Sequence, residues 1–229
     1  MKVAGRNFAR GTVGESKVGR IILADLRHAQ AYNGSSFMSQ DVYGRPITNY
    51  KTYWTPTGYR WLGSGYYMLA GNWSGLQYDL TIELQVNITA YIYHQALIQK
   101  HYYGEFDIHH YDADGRCRYE AGYGSPTIYS SKQSRLGLVT VGRMFHFALT
   151  RTKYSATQNR IHWYNNGDLN KTEDYGCIHE WQSAQQLTFG ARTNGTSSNL
   201  TGLINYVAIS PFVDYPARIL QRAISARKP

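Results

Sequence analysis

Glu105, Asp107 and His109 alternate along the segment GEFDIHHYDADGR, residues 104–116. On an extended strand, side chains two apart share a face, so this row turns two carboxyls and an imidazole the same way. Retaining glycoside hydrolysis uses such a pair of carboxyls, held roughly 5–5.5 Å apart, one as nucleophile and the other, with a raised pKa, as acid and base. The alternative is an ordinary polar strand face that ends at the turn Asp112-Ala-Asp114-Gly115.

Other residues with chemical potential are dispersed. The eight histidines are scattered, and the adjacent His109 and His110 point to opposite faces of a strand, an arrangement that does not favour one shared metal. Asp112 and Asp114 open like a calcium loop, but Gly115 comes two residues early for an EF-hand and no glutamate follows at the bidentate position. The sequence therefore requires no cofactor, and calcium at this pair is the one candidate. Ser, His and Asp are all present without a nucleophile elbow. Cys117 and Cys177 are too few for a disulfide framework and lack CxxC spacing; they read as reduced thiols, with a single bridge as the alternative. Six Asn-x-Ser/Thr sequons, at Asn33, Asn72, Asn87, Asn170, Asn194 and Asn199, mark polar turns and strand faces. Trp54, Tyr59 and Trp61, in WTPTGYRW, offer flat aromatic faces of the kind that bind sugars; the alternative is that they pack on the protein itself or on a neighbouring subunit.

These groups need a scaffold, and 229 residues suit one large β domain or two small ones. Tyrosine alone supplies 21 residues and charged residues are sparse, which describes a folded, strand-rich chain. No apolar run approaches the roughly 20 residues that cross a bilayer, and the first residues carry no apolar block like that of a signal peptide, so membrane insertion and export by that route are not expected. The net charge is +9, of which the first twenty and last twelve residues hold eight. Lys2, Arg6, Arg10, Lys17 and Arg20 lie in the first group; Arg222, Arg227 and Lys228 lie in the second. The body between is nearly neutral, unlike a basic groove built into a fold. The ends read as solvated tails or as arms that dock on an acidic protein surface or a nucleic acid.

Strands dominate the pattern. YDLTIELQVNIT, residues 78–89, alternates strictly, with Leu80, Ile82, Leu84, Val86 and Ile88 on the inner face. RMFHFALTRT repeats this with Phe145, Phe147 and Leu149, and NRIHWYNNGDL adds Ile161 and Trp163 before an Asn165-Asn166-Gly167 turn. LTGLINYVAIS, residues 200–210, is apolar enough for a central strand covered on both faces. One helix is signalled, with Asp214 as cap, Pro216 in the first turn, and Ile219, Leu220, Ala223 and Ile224 on one face. Many strands joined by hairpins argue for two sheets packed face to face.

The order of these motifs resembles the laminin-G-like, concanavalin A-like jelly rolls. A strand ending in Ala148–Arg151, a hairpin strand at Tyr164–Gly167, Gly190–Ala191, and a strand over Gly202–Ile209 match that family's second half in sequence order. The resemblance runs from Tyr66 to Ile224; Leu84 and Gln85 depart from it where an aromatic is common. It implies an all-β fold, a two-sheet antiparallel jelly-roll sandwich with a short C-terminal helix. The implied layout is a basic arm over 1–20, an edge strand and aromatic loop over 21–65, the sandwich over 66–213, and a helix with a basic tail over 214–229.

The same superfamily contains laminarinase-type glucanases, whose catalytic strand reads Glu-x-Asp-x-x-Glu or a form one residue shorter. Here His109 and His110 stand where the last glutamate would be, so the acid/base carboxylate is missing and no enzyme is expected. The leading expectation is a structural or decoration subunit of a larger assembly, such as a phage virion formed in the host cytoplasm, its arms against neighbouring capsid or tail subunits. A lectin module for host-surface glycans is the alternative, and nucleic-acid contact by the arms stays open.

Overall fold

The computed structural model of the chain describes residues 22–26, 36–41, 43–72, 76, 79–100, 105–111, 113–122, 129–176, 183–192, 195 and 197–226. Two eight-stranded antiparallel sheets form a sandwich. Sheet A runs β14(Asp168–Gly176), β13(Gln158–Asn165), β12(Met144–Lys153), β7(Leu80–Ile88), β16(Thr201–Ser210), β5(Gly58–Leu62) and β4(Tyr53–Thr55), with β1(Ile22–Asp25) also on β16. Sheet B runs β11(Tyr129–Gln133), β10(Cys117–Gly122), β9(Phe106–His110), β8(Gln95–Lys100), β15(Thr188–Phe189), β6(Tyr67–Leu69), β3(Pro46–Tyr50) and β2(Ser36–Met38). Among the described residues one helix, α1(Pro216–Ala226), follows.

The expected alternation sets the core. Leu80, Ile82, Leu84, Val86 and Ile88 are fully buried, and Phe147, Leu149, Ile161 and Trp163 pack in the same cluster. β16 is covered on both faces, between β7 on one side and β5 and β1 on the other. The Asn166-Gly167 turn takes positive φ at both residues, the conformation that tight hairpins need.

The first strands are built into both sheets: β1, β4 and β5 join sheet A, and β2 and β3 join sheet B. The stretch expected as an aromatic loop is the β4–β5 hairpin. Its alternation sends Tyr59 and Trp61 into the core while Arg60 and Leu62 face out. Trp61 is closed over by Gly190, whose φ is +74° and where any side chain would overlap the indole.

The polar face of β7 is also buried, because the approach to α1 covers Thr81 and Arg222 reaches from the helix to Glu83. Thr81 Oγ1 donates to the Phe212 carbonyl at 2.7 Å and accepts from the Asp214 amide at 2.9 Å, which ties the approach to the helix onto the strand. Ile219 and Ala223 turn inward, whereas Leu220 and Ile224, expected on that same face, are exposed. Asp214, expected as the helix cap, directs its carboxylate to Arg222 at 2.8 Å.

Candidate functional site

The outer face of sheet B carries a cross-strand row that spans all eight strands: Ser131, Glu120, Asp107, Gln99, Thr188, Leu69, Thr48 and Ser36. It arises from simple alternation. Phe106 and Ile108 of β9 go to the core and Asp107 and His109 go out; Cys117, Tyr119 and Ala121 of β10 go in and Arg118 and Glu120 go out. Asp107 and Glu120 sit directly opposite each other on adjacent strands. The second carboxylate, missing along β9, is supplied by β10.

Both acids are nevertheless shut away from solvent, at 0% and 1% exposure. The segment after β15 crosses over them and inserts Arg192, whose Nη2 lies 2.6 Å from Asp107 Oδ2 and 3.4 Å from Glu120 Oε2. The same nitrogen lies 3.0 Å from His109 Nδ1. The crossing segment is held by the Arg192 amide on the Ser197 carbonyl and by the Ala96 amide on the Ser198 carbonyl, both at 2.8 Å. Gly195 lies so close to the Tyr67 ring that a Cβ there would overlap it.

Asp107, His109 and Glu120 form a donor set of the type that holds a metal, with one ligand atom of each within 4.8 Å of the others. Arg192 reaches both carboxylates where such a cation would sit, and Arg118 lies 3.4 Å from Glu120. Two carboxyls also resemble the pair that glycoside chemistry uses, but a substrate oxygen has no path to buried acids covered by a guanidinium. Burial pushes the Glu120 carboxyl up, and the Asp107 charge adds to this against the pull of His109, Arg192 and Arg118. The cluster is an internal staple that fixes the face above it.

That face is an aromatic rim. The turn before β8 presents Tyr91, Ile92 and Tyr93, and Tyr93 is 61% exposed. The Tyr93 ring stacks on His94 at 3.8 Å, and its hydroxyl donates to the Tyr111 hydroxyl at 3.0 Å. Arg118 covers the other part of Tyr111 at 3.3 Å, and His94 meets His109 edge-on at 5.0 Å, joining the rim to the buried cluster. Burial, with the charges of His109, Arg192 and Arg118, lowers the His94 pKa to about 4. Tyr91 stacks on His110 at 5.3 Å at the end of the strand.

The residues singled out in the sequence are placed elsewhere. Tyr59 and Trp61 are fully buried and Trp54 is half-buried against the core, so this hairpin offers no stacking surface made of all three. Glu105 pairs with Lys100 at 2.7 Å inside the protein rather than joining Asp107 in a catalytic row. Asp112 lies outside the described residues; Asp114 is engaged by the Arg116 amide and guanidinium, each at 3.0 Å. Cys117 is a buried free thiol whose pKa burial raises, and Cys177 lies outside the described residues. Lys2, Arg6, Arg10, Lys17, Arg20, Arg227 and Lys228 also lie outside them. Arg222, expected in a basic arm, is folded in between Glu83 and Asp214, because two buried carboxylates outbid solvent for its guanidinium.

Arg192, Glu120 and the Tyr93–His94–Tyr111 rim were missed in the sequence. The alternation in RCRYEAG pairs Arg118 and Glu120 on one face and was there to be read. Arg192 is 72 residues from Glu120 and had no local signal.

No known protein family and no curated protein matches the chain by sequence. Solved structures do match its fold. The botulinum neurotoxin serotype G binding domain aligns with a TM-score of 0.65 at 14% identity, over 90% of this chain and 50% of that one. A Trypanosoma rangeli sialidase in complex with 2,3-difluorosialic acid aligns at 0.66 and 13%, over 95% of this chain and 34% of that one. A Ruminococcus gnavus sialidase carbohydrate-binding module, CBM40, bound to α2,3-sialyllactose aligns at 0.53 and 14%, over 65% of this chain and 84% of that one. The fold is a two-sheet β-sandwich shared with these structures. The chain spans about half of the neurotoxin domain and a third of the sialidase. No helix among the described residues is long and apolar enough to cross a membrane.

Proposed function

We propose that this chain is a non-enzymatic glycan-binding module, and that saccharide rests on the rim formed by Tyr91, Tyr93 and Tyr111 at the outer edge of sheet B. The observation that carries this reading is the exposed Tyr93 ring, stacked on His94 and tilted against Tyr111, with His94 joining it to the Arg192 cluster through His109. Aromatic faces bind sugar CH surfaces, and pre-positioned rings lose little freedom on binding. The likeness to a carbohydrate-binding module with sialyllactose supports the reading and makes sialylated glycans the first to test. A glycan array probed with the purified chain, with Tyr93→Ala and Tyr111→Ala beside it, tests it: specific retention by the parent that both variants lose is expected.

Membership of a larger assembly, such as a virion, is the second reading. The outer side of α1 and its approach favour it, because Tyr215, Leu220 and Ile224 are exposed there. Light scattering on the purified chain tests it, with self-association that Leu220→Ser and Ile224→Ser remove as the expected result.

A further inference from the structure

A second surface lies beside the rim, since the Tyr111 amide donates to the Arg116 carbonyl at 3.1 Å, where the end strands of the two sheets meet. Arg116, just before β10, Gln133 at the end of β11, Ser134, Arg135 and Leu136 after it, and Lys171 of β14 line a groove of about 540 Å³. That volume suits one or two sugar rings. Lys171 Nζ donates to the Gln133 carbonyl at 2.8 Å, which clasps the two sheets and fixes the floor.

The lining holds three cations and no carboxylate. Asp114 and Glu173 pair with Arg116 and Lys171 at 3.0 and 2.9 Å but are not part of the lining. Such half-exposed pairs are weak, so Arg116 remains able to turn to a ligand while Lys171 holds the floor. The Arg135 amide is fixed by Asn170 Oδ1 at 2.9 Å, while its guanidinium has no ion-pair partner among the described residues. With Asp114 and Glu173 counted, the three cations leave one net positive charge here, centred on Arg135. Leu136, 61% exposed, adds an apolar patch beside the polar Gln133 and Ser134.

We propose that this groove binds the carboxylate or sulfate group of an acidic saccharide, with Arg135 and Arg116 gripping the oxyanion and Leu136 under the sugar ring. The saccharide part rests on the glycan reading above; the anion part rests on the groove itself. Guanidinium groups suit this task because their planar donors match carboxylate and sulfate oxygens two at a time.

The test is a calorimetric titration of the intact chain with 3′-sialyllactose, a sulfated disaccharide, lactose and inorganic sulfate. Run alongside are Arg135→Ala, the triple variant Arg116→Ala/Arg135→Ala/Lys171→Ala, and the rim variant Tyr93→Ala. Binding of an acidic sugar, weakened about tenfold by Arg135→Ala, lost in the triple variant and weakened as ionic strength rises, is expected. Lactose binding that persists in the triple variant but not in Tyr93→Ala would assign sugar to the rim alone and overturn the groove. Inorganic sulfate binding as tightly as the acidic sugars would overturn the saccharide assignment. Acidic-sugar binding lost in the triple variant but kept in Tyr93→Ala would uphold the groove while removing the rim. The substituted side chains are exposed or half-exposed, so unchanged melting temperatures are expected to show that every variant is folded.

Discussion

On the outer face of sheet A, Glu83 and Asp214 hold Arg222, with His146 against Glu83 at 3.3 Å; on the outer face of sheet B, Asp107 and Glu120 hold Arg192, with His109 against Asp107 at 3.3 Å. Each arginine arrives from a segment late in the chain and closes over a buried pair of acids. The difference lies in the cover. Sheet A is sealed by a helix, and its arginine meets both carboxylates at 2.7–2.8 Å. Sheet B is closed by an irregular segment, and its arginine favours Asp107 over Glu120, 2.6 Å against 3.4 Å. Burial raises Glu83, yet the His146 hydrogen bond and the Arg222 charge outweigh it and hold the carboxyl at about 2. For Glu120 burial prevails and the carboxyl moves up. The same residue types therefore make a tight staple on one sheet and a looser support for an exposed rim on the other.

The largest expected effect comes from breaking the sheet A staple. Arg222→Ala leaves Glu83 and Asp214 buried without their cation and should cost about 3–5 kcal/mol of unfolding free energy, read by urea denaturation. A loss below about 1 kcal/mol would show that water reaches the cluster. The same substitution made at the two glutamates sharpens the contrast: Glu83→Gln should destabilise by about 2–3 kcal/mol, while Glu120→Gln should change stability by less than about 1 kcal/mol or raise it. Equal losses would mean that the two clusters are equivalent.

Gly190→Ala comes next, because it places a methyl against Trp61 at a φ of +74°; a loss of about 1–3 kcal/mol is expected by the same assay.

The smallest effect is one of pH. A folded-state pKa of about 4 for His94, below its ordinary value of 6.5, means that the unfolded chain binds the extra proton first. Its contribution is complete above pH 6.5 and is lost as pH falls towards about 4. The Glu83 contribution is complete above its ordinary value of 4.5 and is lost only as pH approaches about 2. Hydrogen exchange at pH 6.5 and pH 4.5, corrected for intrinsic rates, should show the turn around His94 loosening while β7 keeps its protection. Loosening of both together would contradict the separation.

Much of the scaffold was legible. Strict alternation in β7 and β12 fixed which side chains form the core, and the Asn166-Gly167 turn announced its hairpin. Alternation cannot say what covers the polar face of a strand, and so nothing in the pattern shows that Glu83 and Asp107 are buried against Arg222 and Arg192. WTPTGYRW reads as a loop because of its proline and glycine, yet Pro56 and Thr57 form the turn of a hairpin and Gly58 opens β5, whose Tyr59 and Trp61 point inward. The rim was hidden for a different reason: Tyr93 and Tyr111 lie in separate turns, and only the β8–β9 pairing brings them together.

The most direct test of glycan binding at the rim is an array of sialylated and neutral glycans probed with the parent chain and with Tyr93→Ala/Tyr111→Ala. Specific retention by the parent, reduced at least about tenfold in the double variant with an unchanged melting temperature, is the predicted result. A parent chain that retains no glycan, or a double variant that retains the same ones equally, would contradict it.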